Sequence, residues 1–458
     1  MKNEIGRKLT SLTIMAIMFA GGMAIGVTSF MPVAAADFSV TDGQLSVSSE
    51  FIQGGAVLEI VVNDPAISST IDDINSGAEV VIGGASYDMA QGVNGKWYLY
   101  VVDNSIATDL DDDATGFEYG YKCDTGVGVS ENTSNLIIPS GTVVFVGAIS
   151  GAGKTIQAGG CFDVDNAVGV SDDTSGTTNR EDILASVLQD PPTLSNHNEK
   201  DAGDGDIDLG QRGHGLNESG YGSWPYILAI ELNDDNIIEY NDYEVNVEFG
   251  NTDDESSIEL TNRNPAAFHD VHLTITDPAL NIDPTTADVW IFDVDAGTGT
   301  SGTPIFANNG STNTAITLTQ LGAMQCEDNC RLHNSSGTIK NVVNGTGDVT
   351  MTESTENSGI FESFDLNGDS EMTVLAEAVG DTKIVFTYAD NDVDMIITYH
   401  DASIDFENPN AGNWQPATSA TVLINDPDMN FNPLEQDELE VGDERRVIPT
   451  IKMGTPKT

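Results

Sequence analysis

Apolar residues along this chain recur at every second position in short runs, and almost nowhere at the spacing of a helix. In Val271–Thr276, Val271, Leu273 and Ile275 alternate with His272, Thr274 and Thr276. That period of two sets one face of a β-strand against a core. Residues 37–113 carry FSVTDGQLSVSS, AVLEIVVNDP, AEVVIGG and GKWYLYVVD, divided by Gly, Asp and Asn. Strands are predicted again at Trp224–Gly250 and Asp288–Asp295, and in NTAITLTQL, GDVTMTESTENSGIFESFDL and Thr382–Phe406. Only Arg180–Gln189 has helical spacing, with Ile183, Leu184, Val187 and Leu188 on one face. Many short strands without intervening helices predict an all-β chain of antiparallel sandwiches. Copies of roughly 130–150 residues suit decorated immunoglobulin-like domains in tandem.

The repeat that sets those copies is VHLTITDPALNIDP (Val271–Pro284), which returns as TVLINDPDMNFNP (Thr421–Pro433) and as LEIVVNDPAIS (Leu58–Ser68). In each, Asp-Pro ends the strand. Proline lacks the N–H that the ladder needs, and the aspartate before it can accept a hydrogen bond from the backbone just beyond. The loop that follows is rich in oxygen: Asp277, Asn281 and Asp283 in one copy, Asp426, Asp428, Asn430 and Asn432 in another. Such a loop suits either a hydrogen-bonded turn or a hard cation such as Ca2+. Asp64 lies 213 positions before Asp277, and Asp277 lies 149 before Asp426. The first copy therefore carries roughly sixty extra residues, assigned to the Gly/Asp-rich stretch at about 114–222. The expected organisation is a signal peptide (1–36), a first immunoglobulin-like domain with an irregular insertion (37–262), a second (263–411) and the start of an incomplete third (412–458).

Charge changes the functional picture more than the fold. Of 458 residues, 73 are Asp or Glu and 17 Lys or Arg, a net charge of −56, while 39% are hydrophobic. Such a surface repels phosphates, which excludes nucleic acid as a partner, and it gathers cations that would screen its own copies from one another. Lys2, Arg7 and Lys8, an apolar run to Val27 and Ala34-Ala35-Ala36 form a cleavable export signal, so the mature chain is expected to begin at Asp37, secreted, without a transmembrane segment. Export makes the four cysteines candidates for disulfides with three possible connectivities, of which Cys123–Cys161 with Cys326–Cys330 is favoured; a zinc site is the competing reading for Cys326 and Cys330. It also makes the sequons at Asn132, Asn217, Asn309, Asn334 and Asn344 glycan sites on exposed loops.

Two further acidic tracts offer alternating oxygen ligands for calcium: Asp204, Asp206 and Asp208, and Asp365, Asn367 and Asp369. Gly147–Thr155 imitates a phosphate loop but has one residue too many before Gly153-Lys154. His269 and His272 are three apart on a strand, so they face opposite sides and read as surface or strand-end residues. No nucleophilic or zinc-protease motif occurs, and no enzyme activity is expected.

The leader IGRKLTSLTIMAIM, the segments MAQGVNGKWYLYVVD and WPYILAIELND, the run HLTITDPALNIDPTTADVWIF, the turn ENSGIFE and KIVFTYADNDVDM together resemble the surface-layer proteins of ammonia-oxidising archaea. The resemblance spans the leader and both complete modules. It implies a string of immunoglobulin-like domains that assemble, with themselves and with other surface-layer subunits, into a porous lattice coating the cell. It further implies stabilisation by divalent cations, ammonium gathered at the pores, and a full chain several times longer. The same tandem β-domains would serve a calcium-dependent adhesin. A secreted hydrolase would instead need a deep pocket holding a carboxylate pair.

Overall fold

The computed structural model describes residues 38–68, 77–111, 119, 121–124, 139, 142–146, 187–193, 225–294, 304–307, 316–317, 331–334, 343–344, 347–407 and 421–437. All belong to one compact unit, Ala36–Thr458. Its first sheet runs β1 (Val40–Asp42), β2 (Leu45–Val47), β4 (Leu58–Val62), β8 (Trp97–Asp103), β11 (Tyr226–Ile230), β10 (Val143–Val146), β9 (Tyr121–Asp124), with β7 (Ala90–Gln91) beside β8. A second sheet runs β3 (Phe51–Ile52), β13 (Tyr243–Phe249), β12 (Asp235–Tyr240), β5 (Glu79–Ile82), β6 (Ala85–Asp88). The third is β14 (Ser257–Leu260), β15 (Leu273–Thr276), β22 (Ile360–Glu362), β21 (Asp348–Glu353), β16 (Val289–Asp293), β17 (Ile305–Phe306), β18 (Ile316–Thr317). The fourth is β19 (His333–Asn334), β24 (Lys383–Tyr388), β25 (Asn391–Ile396). Two ladders stand apart, β20 (Val343–Asn344) with β23 (Thr373–Val374) and β26 (Ser403–Phe406) with β27 (Val422–Asn425).

The protein is thus all-β in several separate sheets, as the alternating pattern predicts. Strand pairing groups β1–β13, β14–β25 and β26–β27, so the second and third groups open at Ser257 and Ser403, a few residues ahead of the expected limits. Two pairings are parallel, β8 with β11 and β3 with β13. The long connection between β8 and β11 permits this, since a parallel pair needs a crossover rather than a hairpin. Within the stretch expected to be an insertion, β9 and β10 extend the first sheet through β11.

Alternation survives where one face of a strand is wet: Asn236, Ile238 and Tyr240 are buried on β12 while the residues between them are exposed. It vanishes on β8, where every residue of WYLYVVD is buried. A short helix, α1 (Asn104–Asp111), packs on β8 and β11 and helps close that strand from above. Asp103 caps it, accepting the N–H of Ser105 and of Ile106 at 3.0 and 3.1 Å. The sequence pattern does not reveal this helix, whose buried residues among those described are only Ala107 and Leu110. Of the expected helix at Arg180–Gln189, residues 180–186 lie outside the described residues.

Two hairpins matter below. β12–β13 turns at Asn241-Asp242, and β24–β25 at Ala389-Asp390, where both φ angles are positive, 43° and 62°. That is the twist a two-residue hairpin requires, and only glycine adopts it without strain. Asp390 is exposed. Asp390→Gly is expected to raise stability by roughly 0.5–1 kcal/mol, measured by urea unfolding. A loss would show that the Asp390 side chain contributes more than its backbone costs.

Candidate functional site: the aspartate-proline junctions

Each Asp-Pro copy builds the same local structure. Asp64 Oδ1 accepts from Ala66 N at 2.9 Å, Asp277 Oδ1 from Ala279 N at 2.8 Å, and Asp426 Oδ1 from Asp428 N at 3.2 Å. The aspartate is an N-cap and the proline occupies the first position of a single 3-10 turn, Pro278–Leu280 or Pro427–Met429, where no N–H is missed. In the two complete modules a second oxygen receives a tyrosine from far along the chain. Tyr240 donates its hydroxyl to Asp64 Oδ2 at 2.8 Å, and Tyr388 to Asp277 Oδ2 at 2.5 Å. Both tyrosines are the last strand residue before the hairpin turn, on β12 and on β24. Sequence reading overlooked them. The signal was a second internal repeat, YNDYEVNV (Tyr240–Val247) against YADNDVDM (Tyr388–Met395).

The loop beyond each turn docks on the preceding module. Val57 N donates to Ile282 O at 3.0 Å, and Asp270 N to Phe431 O at 2.9 Å. These are equivalent positions: Val57 and Asp270 are 213 apart, and Ile282 and Phe431 are 149 apart, the spacings of the repeat itself. The receiving turn also repeats, with Ala56 N on Gln53 O at 3.2 Å and His269 N on Ala266 O at 3.3 Å. So does the brace of the docking loop. Asp288 Oδ2 accepts from Ile282 N and Asp283 N, and Asp437 Oδ2 from Phe431 N and Asn432 N. Ile282 is buried at the first junction, and Phe431 packs edge-on against Phe268 and His269 at the second.

The first junction buries an unusual number of carboxyls. Asp277, Asp283, Asp288 and Glu353 are all buried. Burial lifts Asp277 to about 6 against the bonds from Tyr388, Ala279 and Thr252 that favour its charge. Burial likewise lifts Glu353 to about 7, and pushes Asp288 well up, with the nearby charges of Glu353 and Asp283 adding to it. Asp288 and Glu353 also clasp each other's backbone, Asp288 N on Glu353 Oε2 at 3.1 Å and Glu353 N on Asp288 O at 2.8 Å. Asp288 Oδ1 has no hydrogen-bond partner among the described residues. Beside this group lies a polar cavity of about 320 Å³, lined among others by Ser46, Ser48, Glu59, Asp190, Glu356 and Asn357. Burial raises Glu59 there to about 7, although Tyr100 donates to its carboxylate at 2.8 Å.

The aspartates of the oxygen-rich loops accept from the protein itself, whereas the buried Asn281 Oδ1 has no hydrogen-bond partner among the described residues. Asp283 accepts from Thr285 N, from the hydroxyls of Thr285 and Thr286, and from Gln189 N. Asn281 donates to Asn357 Oδ1 at 3.2 Å. Asp428 holds His400 through both oxygens, Asn432 accepts from Leu434 N, and the Asn430 N–H closes the turn on Pro427 O. In the Asp365 tract, Asp365 Oδ1 takes the N–H groups of Asn367 and Asp369 at 2.8 and 3.0 Å, which makes an ordinary turn geometry. Among the described residues, no three His, Cys, Asp or Glu side chains are grouped to hold a metal ion. Asp277 and Asp283 thus spend their carboxylate oxygens on hydrogen bonds within the turn and its neighbours. Asp204, Asp206 and Asp208 lie outside the described residues.

Other expected residues fall as follows. His269 and His272 are at strand ends, but both are buried rather than on the surface, with Nε2 on Asp428 O at 3.0 Å and on Gly368 O at 2.6 Å. Burial pushes both below the usual histidine range. Asn334 is fully buried, its amide donating to Val294 O at 2.6 Å, so in this fold it is not a glycan site on an exposed loop. Asn344 lies on β20 opposite Thr373, and Cys123 on β9 opposite Val144. Residues 1–36 and 147–155, Cys161, Cys326, Cys330, Asn132, Asn217 and Asn309 lie outside the described residues. No described helix is long and apolar enough to cross a membrane. Comparison with protein-family models and with curated proteins finds no match.

Proposed function

We propose that the chain is a structural subunit of an extracellular surface layer, built from tandem immunoglobulin-like modules and assembling with its own copies into a cation-stabilised lattice. One observation carries the reading: the backbone bond that joins the first module to the second recurs at the matching residues between the second and the third. A repeated joint makes an array of fixed step, which suits a load-bearing layer better than a catalyst. The net charge of −56 supplies the need for cations, since like-charged arrays associate only when screened. Calcium and ammonium would act at exposed carboxylates and at the polar cavity beside Glu59, Asp190 and Glu356, rather than in the Asp-Pro loops.

Residues 37–458 melted with Ca2+ and then with chelator test this, followed by electron microscopy. Expected are a melting temperature higher in Ca2+ than in sodium salt of equal ionic strength, and sheets or ordered oligomers in the calcium sample. Soluble monomers that bind a defined glycan or protein saturably would replace the lattice with a calcium-dependent adhesin.

A further inference from the structure

We propose that the open face of the β26–β27 ladder seats a further β-hairpin of the same repeat, whose turn tyrosine donates its hydroxyl to Asp426. The argument rests on register. In the second module Ile258 pairs with Ile275 and Leu260 with Leu273. In the third, Ile404 pairs with Ile424 and Phe406 with Val422. Ile275 and Ile424 are 149 apart, so the two ladders are the same structure in successive modules. Their surroundings differ. Ile258 and Ile275 are 6% and 0% exposed because β24 and β25 pack across β14, whereas Ile404 and Ile424 are 52% and 41% exposed.

The chemistry of the occupant follows from the two hairpins already seated. Each brings a tyrosine at its turn and buried apolar residues on the strands either side: Ile384, Phe386, Val393 and Met395 around Tyr388, and Ile238, Val245 and Val247 around Tyr240. Each tyrosine reaches the aspartate of the Asp-Pro turn. Asp426 makes that turn with Oδ1, and among the described residues no donor meets its Oδ2. A second copy of this chain is a poor source, since the two such hairpins among its described residues are committed to Asp64 and Asp277. The occupant is a third hairpin with the pattern Ile/Asn-x-Phe/Ile-x-Tyr, a two-residue turn ending in Asp, and a return strand carrying Val-x-Val/Met. This inference stands whether the chain builds a lattice or acts as an adhesin.

The probe is a cyclised peptide copying Asp381–Thr398, confirmed by NMR to hold the hairpin and titrated into the full chain by calorimetry. Saturable one-to-one binding is expected. Tyr388→Phe in the peptide should weaken it roughly tenfold or more, the loss of one hydrogen bond to a charged acceptor. Ile404→Lys in the protein should abolish binding while leaving the melting temperature unchanged, because the position is exposed. A folded peptide that does not bind overturns the proposal, as does binding that survives Ile404→Lys. Self-association of the chain that Ile404→Lys removes would make a second copy the occupant and overturn it equally.

Discussion

Asp277→Ala is expected to cost about 3–5 kcal/mol, Asp64→Ala about 2–4, and Asp426→Ala about 1, by urea unfolding and by hydrogen exchange at each junction. The order follows from what each carboxylate holds. Asp277 is fully buried and receives Tyr388, Thr252 and the cap N–H. Its removal strands the buried Tyr388 hydroxyl, leaves Thr252 with Gln53 Oε1 and frees the loop that docks on the first module. Asp64 receives Tyr240, Gln44 and its own cap, but lies nearer solvent. Asp426 keeps only the cap, so its loss resembles that of any exposed N-cap. Equal costs at all three positions would show that the tyrosine contributes nothing to holding the turn.

The second large effect is an inversion of the usual response of carboxylates to acid. Asp277 at about 6, Glu59 and Glu353 at about 7, and Asp288 well up all hold their protons more tightly in the folded chain than in the unfolded one. Their contribution is complete below the unfolded values of 3.8 and 4.5 and is lost as pH rises through 6 to 7. The melting temperature should therefore climb between pH 8 and pH 5, in high salt as well as low. Asp288→Asn isolates the cause. Its amide oxygen can still accept from Ile282 N and Asp283 N, and its NH2 replaces the oxygen that lacks a partner, beside Glu353. The variant should be more stable than the parent by about 1–3 kcal/mol at pH 8 and no different at pH 5. A variant weaker at both pH values would mean that ionised Asp288 is required for the fold.

How much of this could be read from residue order depends on the range of each interaction. Strands with one wet face announced themselves by alternation, and Asp-Pro announced a turn through chemistry within two residues. Tyr388 reaches Asp277 across 111 positions, and only a repeat match between hairpins could have suggested it. Oxygen counting could not separate a cation site from a turn, because Asp283 offers the same atoms to Thr285 N–H that it would offer to calcium. The histidines were misplaced for a similar reason. A polar residue in an alternating run reads as solvent-facing, yet His272 is enclosed by Phe364 and the loop at Gly368, which lie nearly a hundred residues away. The helix α1 was hidden by its brevity and by the apolar strand that feeds it.

The backbone bond that repeats between modules links the Asp-Pro loop of one module to the turn seven positions ahead of the Asp-Pro of the module before it. That bond is the same at both junctions although the first repeat interval is 213 residues and the second 149; at the first, Gln189 and Asp190 of the added stretch only add bonds to Asp283 and Thr285. Decoration and pitch are thereby uncoupled. A lineage can enlarge, shorten or recharge the outer loops of any one module, and the period of the assembled array does not change.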